Sequence, residues 1–147
     1  MKRAAFLAAV ITTLLTTAAY AATWEIVPGL KNEYFIHYVD TESISGTPPG
    51  PVEAWKMVKN NLSDPTTRSG YCDYPSKDPN SKCIEKFITR WRFFSNKASC
   101  LLRQENHYSD KTIKIFEHEC KPEVVVPGSM GELTWIFVYQ PRSASER

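Results

Sequence analysis

The sequence predicts an α+β fold: a small antiparallel β-sheet of about six strands, a C-terminal helix packed on it, and two stapling disulfides. Three observations carry that expectation. Short apolar–polar alternations recur between turn residues, which is the period-two pattern of half-buried strands. A capping-box signature, Ser129-Met130-Gly131-Glu132, opens an apolar run near the C-terminus. Four cysteines, Cys72, Cys83, Cys100 and Cys120, follow an N-terminal stretch with the marks of an export leader.

The leader starts with Lys2 and Arg3, continues as an apolar run from Ala4 to Leu15, and closes on Ala19-Tyr20-Ala21. Signal peptidase cuts after such a small-x-small site, so cleavage is expected after Ala21. The run falls short of the ~20 apolar residues a spanning helix needs, and no integral membrane segment is expected. The first cysteine is Cys72, so the cut carries no lipobox cysteine. The mature chain is therefore expected to be periplasmic or secreted. Its organisation reads as 1–21 signal peptide, 22–140 sheet domain and 141–147 flexible tail.

Cleavage leaves 126 of the 147 residues, enough for one domain with a modest core. Two of the 18 basic residues leave with the leader, and the remaining 16 match the 16 acidic ones. A formally neutral domain has no electrostatic footprint for phosphate backbones, so no nucleic-acid partner is expected. An even cysteine count in a small exported domain reads as two disulfides, in one of three connectivities. Zinc would be the competing use of four cysteines. The gaps of 10, 16 and 19 residues between them contain no C-x-x-C pair, and neither metal nor cofactor is expected.

Strands are expected from Trp24 to Val27, broken by Pro28-Gly29, then from Glu33 to Val39 and from Val52 to Val58. Glu85 to Ser95 has the strongest pattern: Phe87, Thr89, Trp91 and Phe93 form a core stripe, with Ile88, Arg90, Arg92 and Phe94 opposite. Between the last two, Asn60 to Lys82 lacks apolar periodicity and is expected to project as a hairpin or loop. Ser99 to Tyr108 and Thr112 to Cys120 complete the sheet. If Ser109, Asp110 and Lys111 form a three-residue loop, every opposed pair sums to 220, and Cys100 falls across from Cys120. That register gives Cys100–Cys120, and leaves Cys72–Cys83 to close the projecting loop.

The capping box predicts a helix from Met130 to about Tyr139, with the Glu132 carboxylate returning to the Ser129 amide. It would place Leu133, Ile136, Phe137 and Gln140 on one side. Leu133 to Tyr139 is also compatible with a strand by propensity, and the cap is what favours the helix. The tail from Pro141 is expected to fray.

The chemistry-bearing residues do not assemble a catalytic set. His37, His107 and His118 are scattered, and no nucleophile elbow, zincin, P-loop or dinucleotide fingerprint occurs. Arg90 and Arg92, with Arg103, Lys86 and Lys114, would make a basic patch unless they pair with Glu85, Glu105, Glu117 and Glu119 across strands. Tyr71 and Tyr74 have no evident core role beside the Cys72–Cys83 loop, and exposed tyrosines favour protein recognition. Tyr71, Tyr74, Arg90 and Arg92 are the candidate partner-binding residues.

Several of these segments together resemble the surface-adhesin protein E-like domain family of Gram-negative bacteria. The likeness rests on Trp24 to Val27, on Tyr34 through Ile44 with its aspartate turn, and on Val52 to Trp55. It continues through the strand ending at Cys100, the Tyr108 hairpin, and Val126 to Ser129 followed by Glu132-Leu133. It covers most of Thr23 to about Tyr139. The resemblance implies a small antiparallel sheet with a C-terminal helix against it, and proteins of the bacterial surface that bind host matrix or plasma proteins. The expected function is an exported, non-enzymatic binding module, adhesin-like, recognising a protein or cell-envelope component of host or bacterium. The alternatives are a structural or accessory envelope protein without a separable ligand and, behind it, an enzyme without a recognised motif. Oligomeric state is left open.

Intact-mass measurement of the exported protein should find a chain beginning at Ala22 that gains about 4 Da on reduction, one hydrogen per sulfur of two disulfides. An uncut or thiol-bearing species would contradict the export reading.

Overall fold

The computed structural model describes residues 22–144; the expected leader, with its cleavage after Ala21, and residues 145–147 lie outside them. In chain order the elements are β1 (Trp24–Lys31), β2 (Phe35–Asp40), β3 (Val52–Asn60), α1 (Pro65–Tyr71), β4 (Ile84–Phe93), β5 (Ala98–Tyr108), β6 (Ile113–Glu117), β7 (Glu123–Val124) and α2 (Met130–Ala144). β1 to β6 lie side by side in sequence order, each antiparallel to the next. β7 joins β5 alongside Ala98 and Ser99, beyond the end of β6. The α+β expectation of about six strands and a C-terminal helix holds, with β7 as a short addition.

Local chemistry explains where the strands differ from expectation. Pro28-Gly29 does not end β1: the register shifts between Ile26 and Lys31, and Gly29 takes φ +81° to carry the chain through the bulge. A second irregularity lies in the β4–β5 ladder. Arg90 faces Arg103 but Trp91 faces Leu101, so Leu102 is the extra residue. The hairpin register is as expected, with Arg103 to His107 facing Glu117 to Ile113. Lys111 closes its three-residue loop in the left-handed region at φ 67°. β6 stops at Glu117 rather than Cys120, although the His118 amide still donates to the Leu102 carbonyl at 2.9 Å.

Both disulfides pair as expected. The Cα atoms of Cys100 and Cys120 are 5.2 Å apart, and those of Cys72 and Cys83 are 4.0 Å apart. The segment between β3 and β4 is not the structureless projection expected, because it contains α1. Asp64 caps that helix by accepting from the Thr67 amide at 2.8 Å, and Pro65 occupies its first turn. Thr67 is its one buried residue, so no apolar stripe announced it. Arg68 then fastens the following loop, donating to the Ser76 carbonyl at 2.9 Å and the Asp78 carbonyl at 2.8 Å.

At α2 the helical alternative holds over the strand. The Ser129 hydroxyl accepts from the Glu132 amide at 3.2 Å. The Glu132 carboxylate returns to the Gly128 amide at 2.6 Å, one residue earlier than the expected Ser129. The buried face differs in part: Leu133 and Phe137 pack partly against the core as expected, but the most buried residues are others. Thr134, Trp135, Val138 and Tyr139 are buried, whereas Ile136 is 38% exposed and Gln140 is exposed. The helix rotates to bury its largest rings: Trp135 and Tyr139 stack at 5.0 Å, and each anchors to the sheet side by a polar tip. The Trp135 indole donates to the Phe94 carbonyl at 2.8 Å, and the Tyr139 hydroxyl to the Gly50 carbonyl at 3.1 Å. The helix also continues past Tyr139 to Ala144, into the segment expected to be tail.

α2 lies across β1, β3 and β4 and completes the core with Val27, Leu30, Val39, Val52, Ala54 and Phe93. Of the expected β4 stripe, Phe93 and Thr89 are buried and Trp91 packs partly against this cluster. Trp135→Ala should cost about 3–5 kcal/mol of stability in denaturant unfolding, through lost ring burial and an orphaned Phe94 carbonyl. Ile136→Ala, on the same helix but outside the core, should cost less than about 1 kcal/mol.

Candidate functional site

Strand alternation divides the sheet into an inner face under α2 and an outer face away from it. On the outer face, Ile26, Tyr38, Met57 and Ile88 follow one another across β1 to β4 as directly opposed pairs. They form an apolar row running across the strands rather than along one. The row is uncovered enough that Ile26 remains 43% exposed, and Tyr38, Met57 and Ile88 are half-buried. Beside it Trp24, Trp55, Ile88 and Arg90 line a shallow groove of about 390 Å³, with Asp40 and Glu53 at its polar wall.

The cationic side chains at this groove are organised by one carboxylate. Glu53 on β3 receives Arg90 at 2.5 Å and Arg92 at 2.6 Å from β4. Burial opposes ionisation of Glu53, but the hydrogen bonds and charges of the two guanidiniums outweigh it and hold the carboxyl below its ordinary value. The triad keeps one net positive charge, with Arg90 and Arg92 still 46% and 38% exposed. Towards the far edge Arg103 pairs with Glu105 at 2.9 Å and Glu117 at 2.8 Å, and His107 lies 3.2 Å from Glu105.

Of the four residues expected to bind a partner, the structure brings Arg90 and Arg92 together and separates them from the tyrosines. Their partner is Glu53, which the sequence reading did not consider. Tyr71 has a packing role after all: at the end of α1 it meets Phe87 edge-on at 5.5 Å, on the inner face. Tyr74 is 97% exposed and stands on the disulfide loop, apart from the arginines. Trp24, Tyr38, Trp55 and Met57 were missed as surface residues, because alternation alone does not say which face of a sheet a helix will cover.

The inner face carries its own polar group. His37 is 5% exposed with no partner at Nδ1, and Asn60, 6% exposed, has none at Oδ1. Asn60 spends its amide on the Ile84 carbonyl at 2.9 Å. Lys56 reaches Thr134 of α2 at 3.2 Å. Burial, and secondarily the charge of Lys56, pushes His37 down to about 4; burial pushes Lys56 down to about 8. His37 lies on β2, His107 on β5 and His118 just beyond β6.

Among the described residues no group of three or more His, Cys, Asp or Glu is placed to hold a metal ion. No helix among them is long and apolar enough to cross a membrane. Compared with protein-family models, curated proteins and solved structures, the chain matches none.

His37 makes acid stability testable. Its folded pKa lies below its unfolded value near 6.5, so the unfolded chain takes up the proton first. Stability is retained above about pH 6.5 and declines as pH falls towards about 4, by roughly 3 kcal/mol in all. Denaturant unfolding across that range should show this slope, and His37→Leu should flatten it.

Proposed function

We propose that the protein is an exported, non-enzymatic binding module that recognises a protein partner through the outer face of its sheet. The observation that carries this reading is the uncovered Ile26–Tyr38–Met57–Ile88 row, flanked by Trp24, Trp55 and the Arg90–Glu53–Arg92 triad. Aromatic residues, methionine and arginine are enriched in interface centres, where rigid rings supply area and guanidiniums supply orientation. A monomeric domain rarely leaves such a row uncovered without a use for it. Two disulfides suit an oxidising compartment, which agrees with a periplasmic or secreted chain released from its leader after Ala21. The adhesin-like role and the envelope or host partner rest on the resemblance to the surface-adhesin protein E-like family.

The test is affinity capture with the purified exported protein on envelope fractions and host matrix proteins, repeated with three variants. Trp55→Ala and Arg90→Glu should each weaken retention of the captured partner at least about tenfold, a difference of about 1.4 kcal/mol. Tyr74→Ala, on the separate disulfide loop, should leave it unchanged. A partner held equally by both outer-face variants, or released by Tyr74→Ala, would rule out the outer face as the site.

A further inference from the structure

The two edges of the sheet are built differently. β1 is interrupted by Pro28 and a bulge, devices that keep other strands from adding to an edge. β6, Ile113–Glu117, has neither: it pairs in unbroken register with β5 on one side, and every residue in it is exposed. Ile113, Ile115 and Phe116 are 51%, 52% and 44% exposed. The sole cation in the strand, Lys114, leans back over the Tyr108 ring at 5.5 Å instead of guarding the edge.

The backbone of β6 defines what can add to it. Bonds from Tyr108 N–H to the Thr112 carbonyl and from His118 N–H to the Leu102 carbonyl fix the even-numbered residues as those bonded to β5. By antiparallel alternation, the N–H and C=O groups of Ile113, Ile115 and Glu117 point away from β5. An unpaired row of this kind is a template for another strand.

We infer that β6 pairs antiparallel with β6 of a second copy of this chain, about a twofold axis through Ile115, making one continuous sheet across the dimer. The sequence of the strand favours its own copy in that register. Ile115 meets its symmetry mate, Ile113 meets Glu117, and the stem of Lys114 meets the ring of Phe116. No like charges are directly opposed, and Glu117 already has its countercharge in Arg103 at 2.8 Å. Moving the axis to Lys114 sets two ammonium groups against each other. Moving it to Phe116 sets Lys114 against His118 and Ile113 against Glu119. The Ile115 register also matches outward-pointing groups with outward-pointing groups, as a ladder requires. A twofold interface is isologous, so it closes at two copies and does not propagate. Its five-residue length places it among small, reversible interfaces. The inference stands apart from whatever the outer face binds.

Sedimentation equilibrium on the purified exported protein, up to about 1 mM, should show a reversible monomer–dimer equilibrium. Ile115→Pro removes only an outward-pointing N–H, so the β5–β6 ladder survives while the dimer is lost. Ile115→Arg places two guanidiniums on the axis and should raise the dimer dissociation constant at least about tenfold without touching the backbone. Far-ultraviolet circular dichroism checks that each variant is folded, and if the proline variant is not, the arginine variant decides. A wild-type protein that stays monomeric over the range overturns the inference, as does a dimer that survives Ile115→Arg unchanged.

Discussion

A single sheet buries only what something else covers, and α2 is the cover this chain supplies. Its position is set by Trp135 and Tyr139, stacked together and tied by hydrogen bonds to the carbonyls of Phe94 and Gly50. Val27, Val39, Val52 and Phe93 are core residues because that helix lies over them. The strands would pair without it, but one side of a lone sheet in water gains little from alternation. The bulges, the disulfides and the β7 addition adjust the layer whose core this docking completes.

The same constraint separates what the amino-acid sequence disclosed from what it withheld. Features closed by local geometry were legible. The β5–β6 register followed from a three-residue loop, and that register placed Cys100 across from Cys120. The helix start followed from Ser129 and Glu132. Features decided by long-range packing were not. Leu133 to Tyr139 is apolar nearly all round, so periodicity could not say which side faces the sheet, and the favoured face was right only in part: Leu133 and Phe137 pack against the core, while Ile136 and Gln140 do not. The outer-face row is invisible for a related reason: Tyr38, Met57 and Ile88 become neighbours only through strand pairing.

α1 was missed on different grounds. Its residues are polar or small and it buries only Thr67, so hydrophobic pattern had nothing to report. Its start signal, Asp64 before Pro65, was nonetheless present and would have located it. Tyr71 was misread with it, since a tyrosine at the end of an unrecognised helix looks like a tyrosine on a loop. Beneath the sheet, His37 and Asn60 show the opposite pattern. His37 was read as an ordinary strand residue and Asn60 as the start of the projecting loop, yet Asn60 ends β3 and both are buried with polar atoms unmatched by the described residues. Such atoms carry a desolvation cost, so this end of the inner face is held less strongly than the apolar end under α2.

The covering helix follows all seven described strands along the chain. Synthesis runs from the N-terminus, and every strand is made before the helix that buries their shared face. While the residues of α2 are still within the ribosome, the sheet has no partner for Val27, Val39 or Phe93, and the nascent protein cannot close its core. The core can close only once α2 has been made and has emerged. The order of its segments therefore keeps the inner face of the sheet open until α2 has been made.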